Sequence, residues 1–177
     1  MLLRKINAGL SLISTFLLLN HAIFIALYIF SNGRILNPLH RASWLLVGIV
    51  AAHAAVSIAA AILSHAGAEK RTCKNYPKKN IPTLIQRASG MLLIPLIALH
   101  VAGASGAMTP PKLVHTILPP VFFLISLAHA ALSASKAFIT LGIGSAKVVR
   151  AIDVALKITC ALTLVADVVG FYVLYGF

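Results

Sequence analysis

Histidine is the residue type in this chain whose number and spacing could support chemistry. Seven histidines occur, and four of them lie well inside apolar runs long enough to cross a membrane: His21, His53, His100 and His129. An ionisable side chain at membrane depth is costly and usually functional. A helix–helix hydrogen bond explains any one of them equally well, but one on each of four consecutive runs predicts a shared site.

The histidines are expected at two depths if each run is a helix. At a rise of about 1.5 Å per residue, His21 lies about 24 Å past Lys5, in the outer half of the membrane. His100 falls in the same half. His129 lies only about 10 Å before Lys136, which places it in the inner half.

A weak internal repeat relates the first two runs to the next two. His-Ala-Ala-Val-Ser at 53–57 matches His-Ala-Ala-Leu-Ser at 129–133, which groups His53 with His129, although its own depth is near mid-membrane. Zinc usually takes four ligands at one point, whereas two levels with two imidazoles each suit two b-type haems, because each iron takes two axial ligands.

Five apolar segments must position these histidines, and a spanning helix needs about 20 mainly apolar residues. They cover roughly 8–31, 41–67, 82–104, 112–139 and 147–176. Clusters of Gly, Pro and Asn separate them. The first is longer than a signal-peptide core and is expected to be retained. The sequence predicts an all-α fold, in which residues 1–177 form one transmembrane domain with a bundle of five helices.

The composition agrees with a membrane protein. Hydrophobic residues make up 60% and charged residues 10%, against about 45–50% and 25% in globular domains. The net charge of +12 comes from basic residues that stand between the apolar runs, so loop sorting is favoured over nucleic-acid binding. Neither Cys73 nor Cys160 belongs to a CxxC motif, and both are expected to be free thiols.

Basic residues are distributed unequally between the two sides of the predicted bundle. The side that carries the N-terminus holds Arg4, Lys5, Lys70, Arg71, Lys74, Lys78, Lys79, Arg87, Lys136, Lys147 and Arg150. The other side holds Arg34, Arg41 and Lys112. The positive-inside rule therefore predicts a cytoplasmic N-terminus, and we expect a multi-pass protein of the cytoplasmic membrane of a prokaryote.

Two short motifs resemble a known family. Gln-Arg-Ala-Ser-Gly at 86–90, followed by an apolar run to His100, resembles the helix-opening motif of the cytochrome b membrane anchors of succinate:quinone oxidoreductases, the succinate dehydrogenases and fumarate reductases. The stretch at 129–136 resembles the second haem-helix pattern of that family. The likeness is closest to the single-chain, five-helix, dihaem type and covers the first four segments.

That resemblance implies two haem b groups and a quinone substrate, expected to be menaquinone. The implied axial ligands of the haem irons are His21 with His100 for the outer haem and His53 with His129 for the inner haem. Arg87 and Ser89 match the part of the motif that lines a quinone site in the family. Pairing of Arg87 with a haem propionate, or a plain interfacial arginine, is at least as well supported by the residues alone.

The resemblance also implies partners. An iron–sulfur subunit and a flavoprotein subunit would dock on the cytoplasmic face, lipid would surround the helices, and complexes could pair as dimers. The flavoprotein would hold the dicarboxylate chemistry, so this chain would be an electron-transfer subunit without a catalytic site for the acid.

Acidic residues are scarce, since the chain has only three. Asp153 and Lys157 are four apart on the fifth segment and are expected to pair. Asp167 has no such local partner and lies deep in the same segment, which makes it the candidate proton relay for quinone chemistry. A hydrogen bond to another helix is the structural alternative.

Two other functions remain open from the sequence. The first is another dihaem membrane cytochrome, of the b561-like type or the hydrogenase and formate dehydrogenase anchor type. The second is a haem-free transporter in which the histidines line a proton or metal path.

Overall fold

A computed structural model of the chain describes residues 2–31, 43–66, 77–107 and 112–175. It consists of five helices, α1 (Leu2–Phe30), α2 (Ser43–Ala66), α3 (Pro77–Ala104), α4 (Lys112–Leu141) and α5 (Ala146–Tyr175). The described residues contain no strand. All five helices are long and apolar enough to cross a membrane. The predicted all-α architecture is confirmed, and the chain is a multi-pass membrane protein.

Two helices begin earlier than their apolar runs. Helix α1 starts at Leu2 instead of residue 8, and α3 starts at Pro77 instead of residue 82. A helix does not have to stop where the hydrocarbon stops, because its backbone hydrogen bonds are internal. Proline is also well placed in a first turn, where its missing N–H would have no helical partner.

The buried core lies between α1, α4 and α5. Its centre is formed by Leu127 and Ala131 of α4 with Cys160 of α5, against which Leu19 of α1 packs. Many of the other buried residues are alanines, such as Ala22 and Ala26 of α1 and Ala130 and Ala134 of α4. Small side chains let membrane helices approach closely, and van der Waals contact between helices is a main source of stability in a bilayer.

The remaining helices lie at the edges of this core. Helix α2 packs mainly on α1, and α3 packs mainly on α4. None of the described side chains of α2 is buried, and in α3 only Leu93 is. A hydrogen bond of 2.8 Å from the Ser57 hydroxyl to the Asn7 side-chain carbonyl joins α2 to α1. The four histidine-bearing helices are therefore held together through the α1–α4 contact.

The connection between α4 and α5 is a short turn that glycine makes possible. Gly142 and Gly144 have φ values of 71° and 81°, in the left-handed region that side chains disfavour. The Ser145 hydroxyl then accepts a hydrogen bond from the Val148 N–H at 3.4 Å, close to the start of α5. Cys160 is a free, buried thiol as expected, whereas Cys73 lies outside the described residues.

Candidate functional site: paired histidines between the helices

The four predicted histidines stand on four different helices and interact in twos. His21 of α1 and His100 of α3 are near enough for a charge on one imidazole to act on the other. His53 of α2 and His129 of α4 are related in the same way. Each interaction joins helices that are not the main packing neighbours of one another. The structure thus places His21 near His100 and His53 near His129, which are the combinations that the resemblance implies.

His129 of α4 makes a hydrogen-bonding contact with a side chain of α3. Its Nδ1 lies 2.9 Å from the Ser89 hydroxyl oxygen, and that hydroxyl donates its single proton to the Gln86 backbone carbonyl at 3.1 Å. In the tautomer with Nδ1–H, the Ser89 oxygen accepts a hydrogen bond from the ring. A histidine protonated at Nδ1 presents Nε2 as a free base, which is the form that ligates a metal.

Gly90 lies against the same imidazole. A Cβ atom at this position would be 3.1 Å from Cε1 of His129, the ring carbon between the two nitrogens. Because that separation is tighter than ordinary van der Waals contact, any side chain here would press on the ring. The glycine that follows Ser89 in the motif thus lets α3 approach His129.

We expect Gly90→Val to disturb the His129 site strongly, because a branched side chain would displace the ring from its bond to Ser89. The measurement is haem per chain and the low-spin haem electron paramagnetic resonance signal of purified protein. Gly103→Val is the matched control, since a Cβ at Gly103 of the same helix meets nothing within 4 Å. Equal haem signals in both variants would contradict the role of Gly90.

A polar network extends from His129 towards the start of α3, where it reaches Lys136 of α4. The Lys136 ammonium donates to the Gln86 side-chain carbonyl at 2.6 Å and to the Thr83 hydroxyl at 3.4 Å. Gln86 therefore connects the two contacts, because its side chain accepts from Lys136 and its backbone carbonyl accepts from Ser89. The basic side of the membrane on which Lys136 lies can be predicted from the sequence, but its contact with Gln86, fifty residues away, cannot.

The two motif residues named for quinone or propionate binding occupy different places. Ser89 bonds to His129 as described, whereas Arg87 is exposed on the surface of α3. Arg87 is still near enough to Lys136 for their charges to interact. Two cations on neighbouring helices suit an anionic group, such as a haem propionate, close to the His129 level.

His53 and His100 have different surroundings from His129. The His53 ring is within hydrogen-bonding range of the Asn7 backbone, and its Nδ1 is buried without a hydrogen-bond partner among the described residues. His100 stacks on Phe122, with ring centroids 4.6 Å apart and an angle of 19° between the planes. A buried imidazole nitrogen without a partner is a costly arrangement.

Asp167 stands apart from the polar network. Its side chain is 0% exposed, and neither carboxyl oxygen has a hydrogen-bond partner in the part of the chain that the structure describes. It follows Thr163 by one turn on the buried face of α5, in the core shared with α1 and α4. The predicted Asp153–Lys157 pair is present at 2.6 Å, and no ion pair among the described residues includes Asp167.

The donor set fits a haem better than a structural metal ion. Across the described ranges, no group of three or more His, Cys, Asp or Glu side chains converges on one point, whereas a structural zinc site takes four ligands. Two neutral imidazoles from two helices are the ligands of a six-coordinate b-type haem. An Nδ1–H of His129 held by Ser89 suits such a group, because it leaves Nε2 of that ring as the ligand.

The function of this chain is inferred from its own residues. No protein-family model, curated protein or solved structure matches this chain.

Proposed function

We propose that this chain is a dihaem cytochrome b that anchors a succinate dehydrogenase or fumarate reductase complex in the membrane. The observation that carries the proposal is the pairing of four membrane-embedded histidines, His21 with His100 and His53 with His129. The bond between His129 and Ser89, within a motif that resembles those anchors, supports it further.

The residues have distinct tasks in this proposal. Bound haem would supply one-electron transfer between the two faces of the membrane. Ser89 holds the His129 ring in one tautomer and one orientation, and Gly90 keeps the space beside it. Lys136 and Arg87 would neutralise the carboxylates of a propionate or hydrogen-bond a quinone carbonyl at the interface.

The assembly proposed around the chain follows from the same resemblance. An iron–sulfur subunit and a flavoprotein would dock on the cytoplasmic side, where the N-terminus and the basic residues of the second and fourth loops would lie. Menaquinone in the prokaryotic cytoplasmic membrane would exchange electrons with the chain. The dicarboxylate would react at the flavoprotein.

The direct test is a difference spectrum of dithionite-reduced against oxidised protein purified from its native membrane, with a pyridine haemochrome assay. We expect a b-type α-band and two haems per chain. Protein without any haem band would overturn the cytochrome proposal, and would favour a transporter in which the histidines line a path.

Proteins that co-purify in mild detergent decide between the dihaem families. A flavoprotein and an iron–sulfur protein are expected. If a hydrogenase or a formate dehydrogenase co-purifies instead, the chain is the dihaem anchor of that enzyme. A haem protein that purifies alone would favour the b561-like type.

Ser89→Ala should leave both haems bound and raise the midpoint potential of one of them. The bond from Nδ1–H makes the imidazole a stronger donor and so favours the oxidised iron. Loss of a hydrogen bond of about 0.5–1.5 kcal/mol corresponds to about 20–60 mV for one electron. Spectroelectrochemical titration measures the shift, with Ser105→Ala as the control, because the Ser105 hydroxyl is exposed and bonds only within its own helix. Equal potentials would contradict the role of Ser89.

A further inference from the structure

The contact surface between α3 and α4 contains two of the four paired histidines. His100 belongs to α3 and His129 belongs to α4. Ser89 and Gly90 of α3 lie against His129, whereas Phe122 of α4 lies against His100. Each helix thus supplies residues that contact the histidine of the other helix. Because the Phe122 side chain has no polar atom, any effect on its histidine must come from the shape and position of its ring.

Phe122 lies on the same face of α4 as His129 and Lys136. The three residues follow one another at intervals of seven, which is close to two full turns of an α-helix. His129 and Lys136 both contact α3, at Ser89 and at Gln86. The same direction brings Phe122 to α3 about 10 Å along the helix from His129, at the level of the other histidine pair.

The ring of Phe122 lies nearly flat against one face of the His100 imidazole. The ring centroids are 4.6 Å apart and the planes differ by 19°. Phe122 itself is only 8% exposed, so the surrounding helices hold its ring in place. The last torsion of a histidine side chain is broad instead of confined to three staggered wells, and packing must therefore decide the plane of the imidazole. A buried ring in this position restricts that rotation.

We propose that Phe122 is a positioning residue that fixes the plane of the His100 imidazole for ligation of haem iron, an inference that rests on the dihaem function proposed above. Residues outside the coordination shell commonly orient a ligating imidazole through a hydrogen bond, and Ser89 has that task at His129. A stacked ring can do the same without using a ring nitrogen, because both nitrogens of an imidazole point outwards in its own plane. The two histidines are thus oriented by different means, one polar and one apolar.

Removal of the Phe122 ring tests this role. Phe122→Leu should leave two haems bound and shift the electron paramagnetic resonance signal of one, because the g-values of a low-spin haem depend on the angle between its two imidazole planes. That haem should also pass to excess apomyoglobin about two- to tenfold faster, as expected for the loss of one aromatic pair. Phe122→Tyr keeps the ring and should keep both properties. Phe123→Leu is the matched control, because Phe123 lies beside Phe122 but on another face of the helix.

Variants with one haem show which iron responds. In His129→Ala the remaining haem would be held by His100, and Phe122→Leu should shift its signal. In His21→Ala the remaining haem would be held by His129, and Phe122→Leu should change nothing. An unchanged signal in the first background, a changed signal in the second, or equal effects of Phe122→Leu and Phe123→Leu would overturn the inference while the natural chain still holds two haems. A natural chain without haem would overturn the proposed function, and this inference with it.

Discussion

A chain that carries both His21→Ala and His100→Ala should hold one haem, the same number as either single variant. Both imidazoles would ligate the same iron, so the second substitution removes nothing that the first has left. The combination of His21→Ala with His53→Ala should hold no haem, because it breaks both pairs. Both combinations contain two substitutions, but one should retain one haem and the other none. This difference is the largest effect that we expect.

The measurement is haem per chain by pyridine haemochrome, with circular dichroism to show that each variant remains helical. His53→Ala with His129→Ala should behave as the first combination does. Loss of both haems from His21→Ala with His100→Ala would contradict the pairing. It would indicate that each haem takes one ligand from each of the proposed pairs, while leaving the cytochrome itself intact.

Asp167→Asn should slow quinone turnover by about tenfold or more while both haems remain bound. An amide has nearly the same shape as the carboxyl but cannot take up and release a proton, and a positioned proton carrier commonly contributes about a hundredfold or more. The rate of quinone reduction, measured with the partner subunits present, tests the expectation. Reduction of the haems by dithionite consumes no quinone and should be unchanged.

The free-energy cost of burying the Asp167 carboxyl provides a control for that experiment. A buried carboxyl without a hydrogen-bond partner among the described residues costs about 1–3 kcal/mol or more. Asp167→Leu should therefore raise the thermal stability of the protein while it lowers turnover. Thr163→Val, one turn away on the same buried face, should leave turnover unchanged. A variant Asp167→Leu that is both less stable and fully active would show that the carboxyl is a structural hydrogen-bonding group.

The helices could be read from the sequence because a bilayer imposes a length and a composition on each of them. Their starts could not. Hydropathy detects the part of a helix that lies in hydrocarbon, whereas α1 and α3 continue to Leu2 and Pro77 through first turns that contain basic residues. The sequence also does not indicate that α1, α4 and α5 form the core. Their apolar residues resemble those of α2 and α3, and only tertiary packing distinguishes them.

The histidines could be identified from the sequence because an imidazole in a membrane is rare. Their neighbours could not. The Ser89 motif was visible, but its bond to His129 joins two helices forty residues apart, and nothing local indicates it. The contact of Lys136 with Gln86 is of the same kind. Arg87 and Ser89 are both motif residues, yet two positions on a helix are about 200° apart, so Ser89 faces His129 while Arg87 lies on the exposed side, near enough to Lys136 for their charges to interact.

The central place of α4 has a consequence for how the protein is made. Ribosomes add about 5–20 residues per second, so α1 and α2 enter the membrane roughly 4–15 s before α4 is complete. In that interval α1 lacks the helices that form its core, and His21 and His53 lack their counterparts on α3 and α4. The His21–His100 pair can form once α3 is made, whereas the His53–His129 pair must wait for α4. Insertion of the proposed haems would therefore follow α3 and then α4, and the α1–α2 hairpin is the intermediate that the quality-control machinery of the membrane would meet first.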